Sequence, residues 1–205
     1  MDGIPRIVVG THYASMKDEK MTEHRWICGD TFDSIYGYAD HSAQLILTDV
    51  PYDLKQEQKE FLHSKFTRIA PCVIIFSPPE NQWLHPADQY LFWVKPISTK
   101  NTSKSYSRFV EMIFIYGRST WNWDRHWSQY TNVFTDLVDD AAHHTYRKPP
   151  SLIERLIRNH TNPGDTVFDP FAGSGVVADV CMKLGRNSYS IERDSKYQRP
   201  SLIQV

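Results

Sequence analysis

The segment Pro163–Glu192 constrains the fold of this chain more than any other part of the sequence. Thr166–Phe168 is a short apolar run that leads into the glycine-containing segment Asp169–Gly175. Apolar residues at helical spacing follow, Gly185 is placed to end that helix in a left-handed conformation, and Ser188–Ile191 has the pattern of a strand. A strand, a helix and a second strand in this order predict a βαβ unit with parallel strands.

The rest of the chain continues this alternation, which is typical of a wound α/β sheet. Phe61, Leu62, Phe66 and Ile69 recur at helical spacing and predict a crossover helix, and Ser151–Glu154 reads as the capping box of a second helix. The 205 residues fit one domain. The seven predicted strands are Arg25–Cys28, Gln44–Thr48, Cys72–Phe76, Gln89–Val94, Val110–Tyr116, Thr166–Phe168 and Asn187–Ile191.

Composition excludes several classes of protein. No apolar run approaches the roughly 20 residues of a membrane helix, so we expect no membrane association. No secretory signal pattern is visible at the start, which predicts a cytoplasmic location. Cys28, Cys72 and Cys181 lie far apart, which argues against a disulfide framework or a zinc finger and predicts reduced core residues.

One stretch of the chain, rather than its net charge, indicates a nucleic-acid partner. The formal net charge is -1, so the whole protein has no electrostatic attraction to nucleic acid. Residues 95–125 nevertheless hold six basic residues and two acidic ones. This stretch is either a solvated loop or a surface that contacts phosphates.

The glycine loop predicts a nucleoside cofactor. Gly173 and Gly175 allow a tight turn and a close approach of the backbone to a ligand, and Glu192 follows Gly173 by 19 residues. An acid at the end of the next strand can accept hydrogen bonds from ribose hydroxyls. Since the loop lacks both the dinucleotide spacing and a Gly-Lys-Ser/Thr, a cofactor without phosphate, such as S-adenosylmethionine, fits best. The alternative is that these glycines only form a turn.

A second constellation, Asp49-Val50-Pro51-Tyr52, ends the apolar strand that precedes it. Ligands of open α/β sheets bind beyond the carboxyl ends of the strands, so Asp49 and Tyr52 are expected at the reactive end of a cofactor cleft. By itself, the tetrapeptide could equally be a surface turn.

Together these motifs resemble the β-class DNA amino-methyltransferases, which methylate adenine N6 or cytosine N4 with S-adenosylmethionine. Asp-x-Pro-Tyr comes first and Phe-x-Gly-x-Gly comes last, the order of this circularly permuted class. Cys28-Gly29-Asp30, Glu111–Ile115 and His144–Pro149 extend the resemblance over Trp26 to Tyr197. It implies a Rossmann-like, mostly parallel seven-stranded sheet with helices on both faces, in which the glycine-loop strand lies beside the Asp49 strand.

The resemblance also implies roles for individual residues. Asp49 and the Val50 carbonyl would accept hydrogen bonds from the exocyclic amine of a flipped-out adenine, and Tyr52 would stack on that base. Transfer would be a direct in-line displacement that needs neither a metal nor a covalent enzyme intermediate. The catalytic residues would be Asp49, Val50, Pro51 and Tyr52, and the cofactor-binding residues Asp30, Lys148, Asp169, Phe171, Gly173, Gly175 and Glu192.

The sequence leaves more than one substrate, and also a non-catalytic role, open. Asp49 favours adenine N6, because the cytosine-N4 enzymes of this family more often have serine there, and RNA or protein glutamine are more distant substrates. Val50 stands where the family usually has proline, which leaves a non-catalytic nucleic-acid-binding subunit as another possibility. The other expected partners are DNA, in double-stranded form, and a second copy of the chain, since a homodimer could cover the sheet edge after Glu192.

DNA recognition is predicted for the insertion at residues 119–143 and for the basic stretch before it. So short a region suggests a short target and an orphan or phage-type enzyme. Its tryptophans could instead form a hydrophobic cluster. The candidate nucleic-acid-binding residues are Lys100, Lys104, Arg108, Arg118, Trp121, Trp123 and Arg125.

Overall fold

The structure is a computed structural model that describes residues 22–83, 86–95, 109–118, 121–122, 126–137, 147–197, 199 and 203–204. The strands are β1 (His24–Cys28), β2 (Leu45–Asp49), β3 (Cys72–Ser77), β4 (Gln89–Val94), β5 (Val110–Gly117), β6 (Val133–Phe134), β7 (Thr166–Asp169), β8 (Asn187–Glu192) and β9 (Ile203–Gln204). The helices are α1 (Thr31–Ser34), α2 (Gln56–Ile69), α3 (Pro150–His160) and α4 (Val176–Leu184). Short 3₁₀ turns cover Ile35–Gly37, Pro79–Asn81, Trp127–Tyr130 and Ser195–Tyr197.

The described strands form one sheet in the order β6-β4-β5-β3-β2-β7-β8-β1-β9. All seven predicted strands are confirmed to within one or two residues. The two additional strands, β6 and β9, have only two residues each, too few to give a periodic signal in the sequence. Every strand pair is parallel except those that β5 makes with β3 and β4. The predicted Rossmann-like α/β class is confirmed.

The glycine-loop strand lies beside the strand that carries Asp49, as the resemblance implies. In the parallel pair of β2 and β7, Leu45 is opposite Val167 and Ile46 is opposite Phe168. Since β2, β3, β7, β8 and β1 all run in the same direction, their final residues lie along one edge of the sheet, here called the carboxyl edge. The two motifs therefore lie at the same edge, although about 120 residues separate them.

Both faces of the sheet are covered, because alternate residues of its central strands point to opposite sides. Leu45 and Leu47 pack in one buried cluster with apolar residues of α3 and α4. Ile46 packs on the other face with the apolar residues of α2, among them Leu62 and Phe66. Burial on both faces explains why β2 and β3 read as continuous apolar runs.

The sequence predicts how α4 ends and how α3 begins, and the structure confirms only the first of these predictions. Gly185 ends α4 with φ +69°, as predicted. The predicted capping box at Ser151–Glu154 is wrong: α3 begins at Pro150, Pro149 precedes it, and no side chain caps it. Proline suits the first helical position because its ring fixes φ and the helix does not need its missing N–H. Glu154 accepts hydrogen bonds from Arg158 and Lys183 instead.

The cysteine prediction is confirmed for Cys72 and Cys181, which are buried, and is wrong for Cys28, which is exposed. Cys28 is the last residue of β1 and lies at the carboxyl edge rather than inside the sheet. Within the described ranges, no helix has both the length and the apolar character needed to cross a bilayer.

Candidate active site

A cleft of about 450 Å³ opens at the carboxyl edge of the sheet. Its walls are the loop after β1, the loop after β2 and the ends of β7 and β8. The lining residues that carry predicted roles are Asp30, Asp49, Val50, Pro51, Tyr52, Phe171 and Glu192. The sheet therefore brings the predicted catalytic residues and several of the predicted cofactor-binding residues to one cavity.

A smaller pocket of about 160 Å³ lies next to this cleft and shares Asp49 and Phe171 with it. Three more residues with predicted roles, Lys148, Asp169 and Gly173, also line it. Asp49 thus lies where the two cavities meet, between the glycine loop and the more open cleft. A ligand that spanned both cavities would pass directly by its carboxylate.

Backbone N–H groups hold the Glu192 carboxylate in place. Gly173 N donates to Glu192 Oε2 at 2.7 Å, and Asp194 N donates to Oε1 at 2.8 Å. Gly173 and Gly175 both have positive φ, +50° and +80°, and Gly175 immediately precedes α4. An acid held in this way at the rim of the cleft keeps acceptor capacity for ribose hydroxyls, so the donor set fits a nucleoside cofactor.

The Asp49 carboxylate has a different partner on each oxygen. Lys148 Nζ donates to Oδ2 at 2.6 Å, and the Tyr52 hydroxyl lies 3.4 Å from Oδ1. Burial raises the pKa of Asp49, the neighbouring Glu111 raises it further, and Lys148 acts against both. The pKa of Asp49 therefore lies above its ordinary value, and the contact with Lys148 limits the rise.

Lys148 joins two carboxylates in the interior of the site. Besides its bond to Asp49, Nζ lies 2.5 Å from Glu111 Oε1, and Lys95 Nζ lies 2.8 Å from Glu111 Oε2. Burial alone would lower the pKa of Lys148, but Asp49 and Glu111 raise it well above its ordinary value. Sequence reasoning placed Lys148 near the cofactor and did not assign Glu111 or Lys95 to the site. A glutamate at the start of an otherwise apolar strand was the available signal.

The rest of the Asp-Val-Pro-Tyr motif combines packing with exposure. The Val50 side chain is buried and packs in the apolar cluster between the sheet and α2, so it fills a core position. Tyr52 is 49% exposed and lines the cleft, and its backbone carbonyl accepts a hydrogen bond from Asn81. The valine therefore has a packing role in this chain, and the tyrosine ring remains accessible to a ligand.

Two further predicted cofactor residues, Asp30 and Asp169, have structural partners. Asp30 caps α1 by accepting a hydrogen bond from Phe32 N at 2.8 Å, and it lines the larger cleft. Asp169 is buried, and its Oδ1 accepts from the Thr48 hydroxyl at 2.8 Å and from Phe171 N at 3.2 Å. Burial raises the pKa of Asp169 to about 7.

Asp169 leads to a prediction about the pH dependence of stability. Its folded pKa of about 7 lies above an unfolded value of about 3.9, so the folded state binds the proton more tightly. This group's contribution to stability is therefore lost as the pH rises from 4 through 7. Asp169→Asn removes this loss and should stabilise the protein relative to wild type by about 2.5 kcal/mol more at pH 8 than at pH 5.

Thermal or urea unfolding of the cofactor-free protein at the two pH values measures this difference. Asp33→Asn is the control, since Asp33 is exposed on α1. An effect of Asp169→Asn that did not change with pH would contradict the prediction.

Of the candidate nucleic-acid-binding residues, the structure describes Arg118 and Trp121, and it does not bring these two to the cleft. Arg118 N donates to Pro71 O, which places Arg118 at the edge of the sheet opposite the carboxyl edge. Trp121 follows it and packs edge-on against His160 of α3, with ring centroids 4.8 Å apart, and beside Tyr130. Lys100, Lys104, Arg108, Trp123 and Arg125 lie outside the described residues.

Solved structures share this architecture and define the class of the fold. The M1.HpyAVI–SAM complex superposes with a TM-score of 0.66 at 24% identity, over 85% of this chain and 96% of that one. The cytosine-N4-specific PvuII DNA methyltransferase superposes with a TM-score of 0.65 at 16% identity, over 86% and 84% of the two chains. The fold is that of the S-adenosylmethionine-dependent methyltransferases.

The sequence narrows this class to a family. Residues 88–204, more than half of the chain, match the family model N6_N4_Mtase, described as DNA methylase, and the chain belongs to that family. The DNA adenine methyltransferase YhdJ of Escherichia coli (strain K12) is 41% identical over 69 residues, which are 34% of this chain and 24% of that enzyme. The type II methyltransferase M.HpaI of Haemophilus parainfluenzae is 21% identical over 225 residues, 85% of this chain and 72% of that enzyme.

Proposed function

We propose that this protein transfers a methyl group from S-adenosylmethionine to the exocyclic N6 of a flipped-out adenine in DNA, with S-adenosylhomocysteine as the leaving group and release of one proton from the amine. The observation that carries the proposal is the position of Asp49, whose carboxylate lies where the two cavities meet and is bound by Lys148 on one oxygen. Among the described residues, the other oxygen, Oδ1, has only a long contact of 3.4 Å from the Tyr52 hydroxyl. It is the atom best placed to accept a hydrogen bond from a substrate amine.

The cofactor site of this proposal is the cleft beside the glycine loop. Glu192 would accept hydrogen bonds from the ribose hydroxyls, Asp30 would lie near the adenine, and Phe171 and Gly173 would line the adjoining smaller pocket. Gly175 lines neither cavity and would act through the turn that it forms before α4. When bound there, S-adenosylmethionine supplies a methyl group on a positively charged sulfur, which makes that methyl electrophilic. The position of the Glu192 carboxylate supports this assignment, because two backbone N–H groups of the chain orient it at the cleft.

The chemistry then depends on the geometry of the amine. The lone pair of an exocyclic amine is delocalised into the base, which makes the nitrogen a poor nucleophile. Hydrogen bonds from the amine to Asp49 Oδ1 and to the Val50 carbonyl favour a pyramidal nitrogen with its lone pair directed at the methyl group. Tyr52 stacks on the flipped base and holds it at the cleft. The acceleration comes from positioning and electrostatics.

Adenine N6 is favoured over cytosine N4 by the aspartate at the first position of the motif. The similarity to an adenine methyltransferase of E. coli, 41% over 69 residues, supports the same choice. Cytosine N4 is the second candidate, supported by the similar fold of the PvuII enzyme.

The partner predictions extend this proposal. Double-stranded DNA would approach the carboxyl edge of the sheet. Lys95 and Phe109 lie at this edge, and the segment between them in sequence contains Lys100, Lys104 and Arg108. Target recognition by residues 119–143, a homodimer and a cytoplasmic location stay predictions. For Arg118 and Trp121 the distance from the carboxyl edge does not favour direct contact with a flipped base.

Identification of the methylated nucleoside tests the proposal directly. Unmethylated double-stranded DNA is incubated with the protein and methyl-labelled S-adenosylmethionine, digested to nucleosides and analysed by mass spectrometry. The expected product is N6-methyldeoxyadenosine, and N4-methyldeoxycytidine would keep the mechanism and reassign the base. If RNA or protein supplied in parallel reactions becomes labelled and DNA does not, that result would contradict a DNA substrate. Failure to bind S-adenosylmethionine in calorimetric titration, with and without DNA, would favour the non-catalytic alternative.

A further inference from the structure

A buried carboxylate outside both sequence motifs lies behind the candidate catalytic aspartate. Glu111 is only 2% exposed and belongs to β5, the strand that runs antiparallel to its neighbours. This reversed direction brings the first residues of β5 to the carboxyl edge, where β2 ends at Asp49. The topology therefore places Glu111 behind the site, although it is 62 residues away from Asp49 in sequence.

The contacts of Glu111 form a chain of alternating charges. Its Oε2 lies 2.8 Å from Lys95 Nζ and its Oε1 lies 2.5 Å from Lys148 Nζ, and that same ammonium lies 2.6 Å from Asp49 Oδ2. The Tyr52 hydroxyl is 3.3 Å from Glu111 Oε1. Two cations balance two anions, so the group is neutral as a whole and tolerates burial.

Aromatic rings shield the centre of this chain from water. Lys148 Nζ lies 5.3 Å from the ring centroid of Phe76 and 5.8 Å from that of Trp93, and both rings are buried. A long lysine side chain has many rotamers, and one carboxylate fixes only one of its three donors. A second carboxylate behind the ammonium restricts it to a single position.

We infer that Glu111 is a positioning residue, which holds the Lys148 ammonium against Asp49 Oδ2 and thereby leaves Oδ1 of an ionised Asp49 for the substrate amine. The inference rests on the proposed function and adds to it the reason why the aspartate has one occupied and one available oxygen. Glu111 itself touches neither the base nor the cofactor in this assignment. Lys148 Nζ, at 2.5 Å, is a closer partner of Glu111 than the Tyr52 hydroxyl, at 3.3 Å, so removing the lysine is expected to remove the effect of the glutamate.

The test compares Glu111→Gln, Lys148→Met and the double variant in the full chain. Turnover is measured at saturating DNA and cofactor and is divided by the number of cofactor-binding sites from calorimetry, so that loss of folded protein does not count as loss of catalysis. Glu154→Gln is the matched control, because Glu154 also binds two cations, Arg158 and Lys183, but lies on α3 outside both cavities.

Glu111→Gln is expected to lower turnover per site by about 10- to 100-fold, the usual effect of a displaced catalytic group, with cofactor affinity unchanged. Lys148→Met should lower turnover at least as much, and the double variant should be no slower than Lys148→Met alone. Should Glu111→Gln not fold, Glu111→Asp replaces it, since that variant keeps the charge but withdraws the carboxylate from the lysine.

Three results would overturn the inference while wild type is active: wild-type turnover per site in the Glu111 variant, losses that multiply in the double variant, or a loss of cofactor affinity in Lys148→Met. The last would assign the lysine to the cofactor. If wild type itself labels no DNA, the proposed function fails, and the inference fails with it. The wild-type reaction therefore separates the two failures.

Discussion

Replacing Asp49 with alanine is expected to remove methyl transfer while cofactor binding persists. Asp49 lies where the two cavities meet and is the group best placed to accept a hydrogen bond from the amine. Removing a preorganised electrostatic contact of this kind typically slows catalysis by about 10² to 10³-fold, and here it also removes the main orienting group. The cofactor contacts assigned to Glu192 and the glycine loop do not involve Asp49.

The measurement is methyl incorporation per cofactor-binding site, with cofactor affinity determined separately by calorimetry. Asp33→Ala is the control, since Asp33 is an exposed aspartate on α1 that lines neither cavity. Alanine at position 49 leaves Lys148 paired with Glu111, so the lysine does not become an isolated buried charge. Wild-type turnover in Asp49→Ala would refute the mechanism.

Substitutions in the glycine loop are expected to impair cofactor binding, whereas Asp49→Ala impairs catalysis. Gly173→Val is expected to abolish cofactor binding, and Gly173→Ala to weaken it by at least about tenfold, the effect of losing roughly 1.4 kcal/mol. Gly173 has φ +50°, and a Cβ atom built there meets no other described residue within 4 Å. Its methyl group would therefore occupy space in the pocket that Gly173 lines.

Gly185 offers a matched control for this substitution. It also has positive φ, +69°, and open space around a Cβ atom, but it ends α4 outside both cavities. Alanine at either position incurs a similar backbone strain of about 1 kcal/mol, so thermal unfolding should change alike in the two variants. Cofactor titration should then separate them. Equal cofactor affinities in the two variants would contradict the prediction that the space beside Gly173 is needed for cofactor binding.

The central fold could be predicted from sequence because its strongest signals are local. The apolar runs of β2, β3 and β7 are buried on both faces, and a glycine loop between a strand and a helix has few other structures available. The predicted capping box failed because two prolines already fix the start of α3, a steric effect that overrides a side-chain cap. The neighbouring positions of β2 and β7 followed only from the resemblance, since no local pattern links residues so far apart.

The interior of the site could be predicted only in part, because its charges come from four different elements. Asp49 and Lys148 were named from motifs, but the contact between them depends on how α3 is placed against β2. Glu111 and Lys95 needed the antiparallel direction of β5, which strand periodicity does not reveal. Residues 95–125 form one basic stretch in the sequence, yet Lys95 and Arg118 lie at opposite ends of the β4–β5 pair.

The pairing of β2 with β7 also determines when the cleft comes into existence during folding. Leu45 and its partner Val167 are 122 residues apart, and closing so long a loop costs more entropy than forming local contacts. Sheets built from distant pairings fold slowly for this reason. On the ribosome, Asp49 is synthesised long before the glycine loop that completes its cavity. The cofactor therefore has no binding site until the sheet is almost complete, and its binding energy stabilises the finished protein rather than guiding assembly.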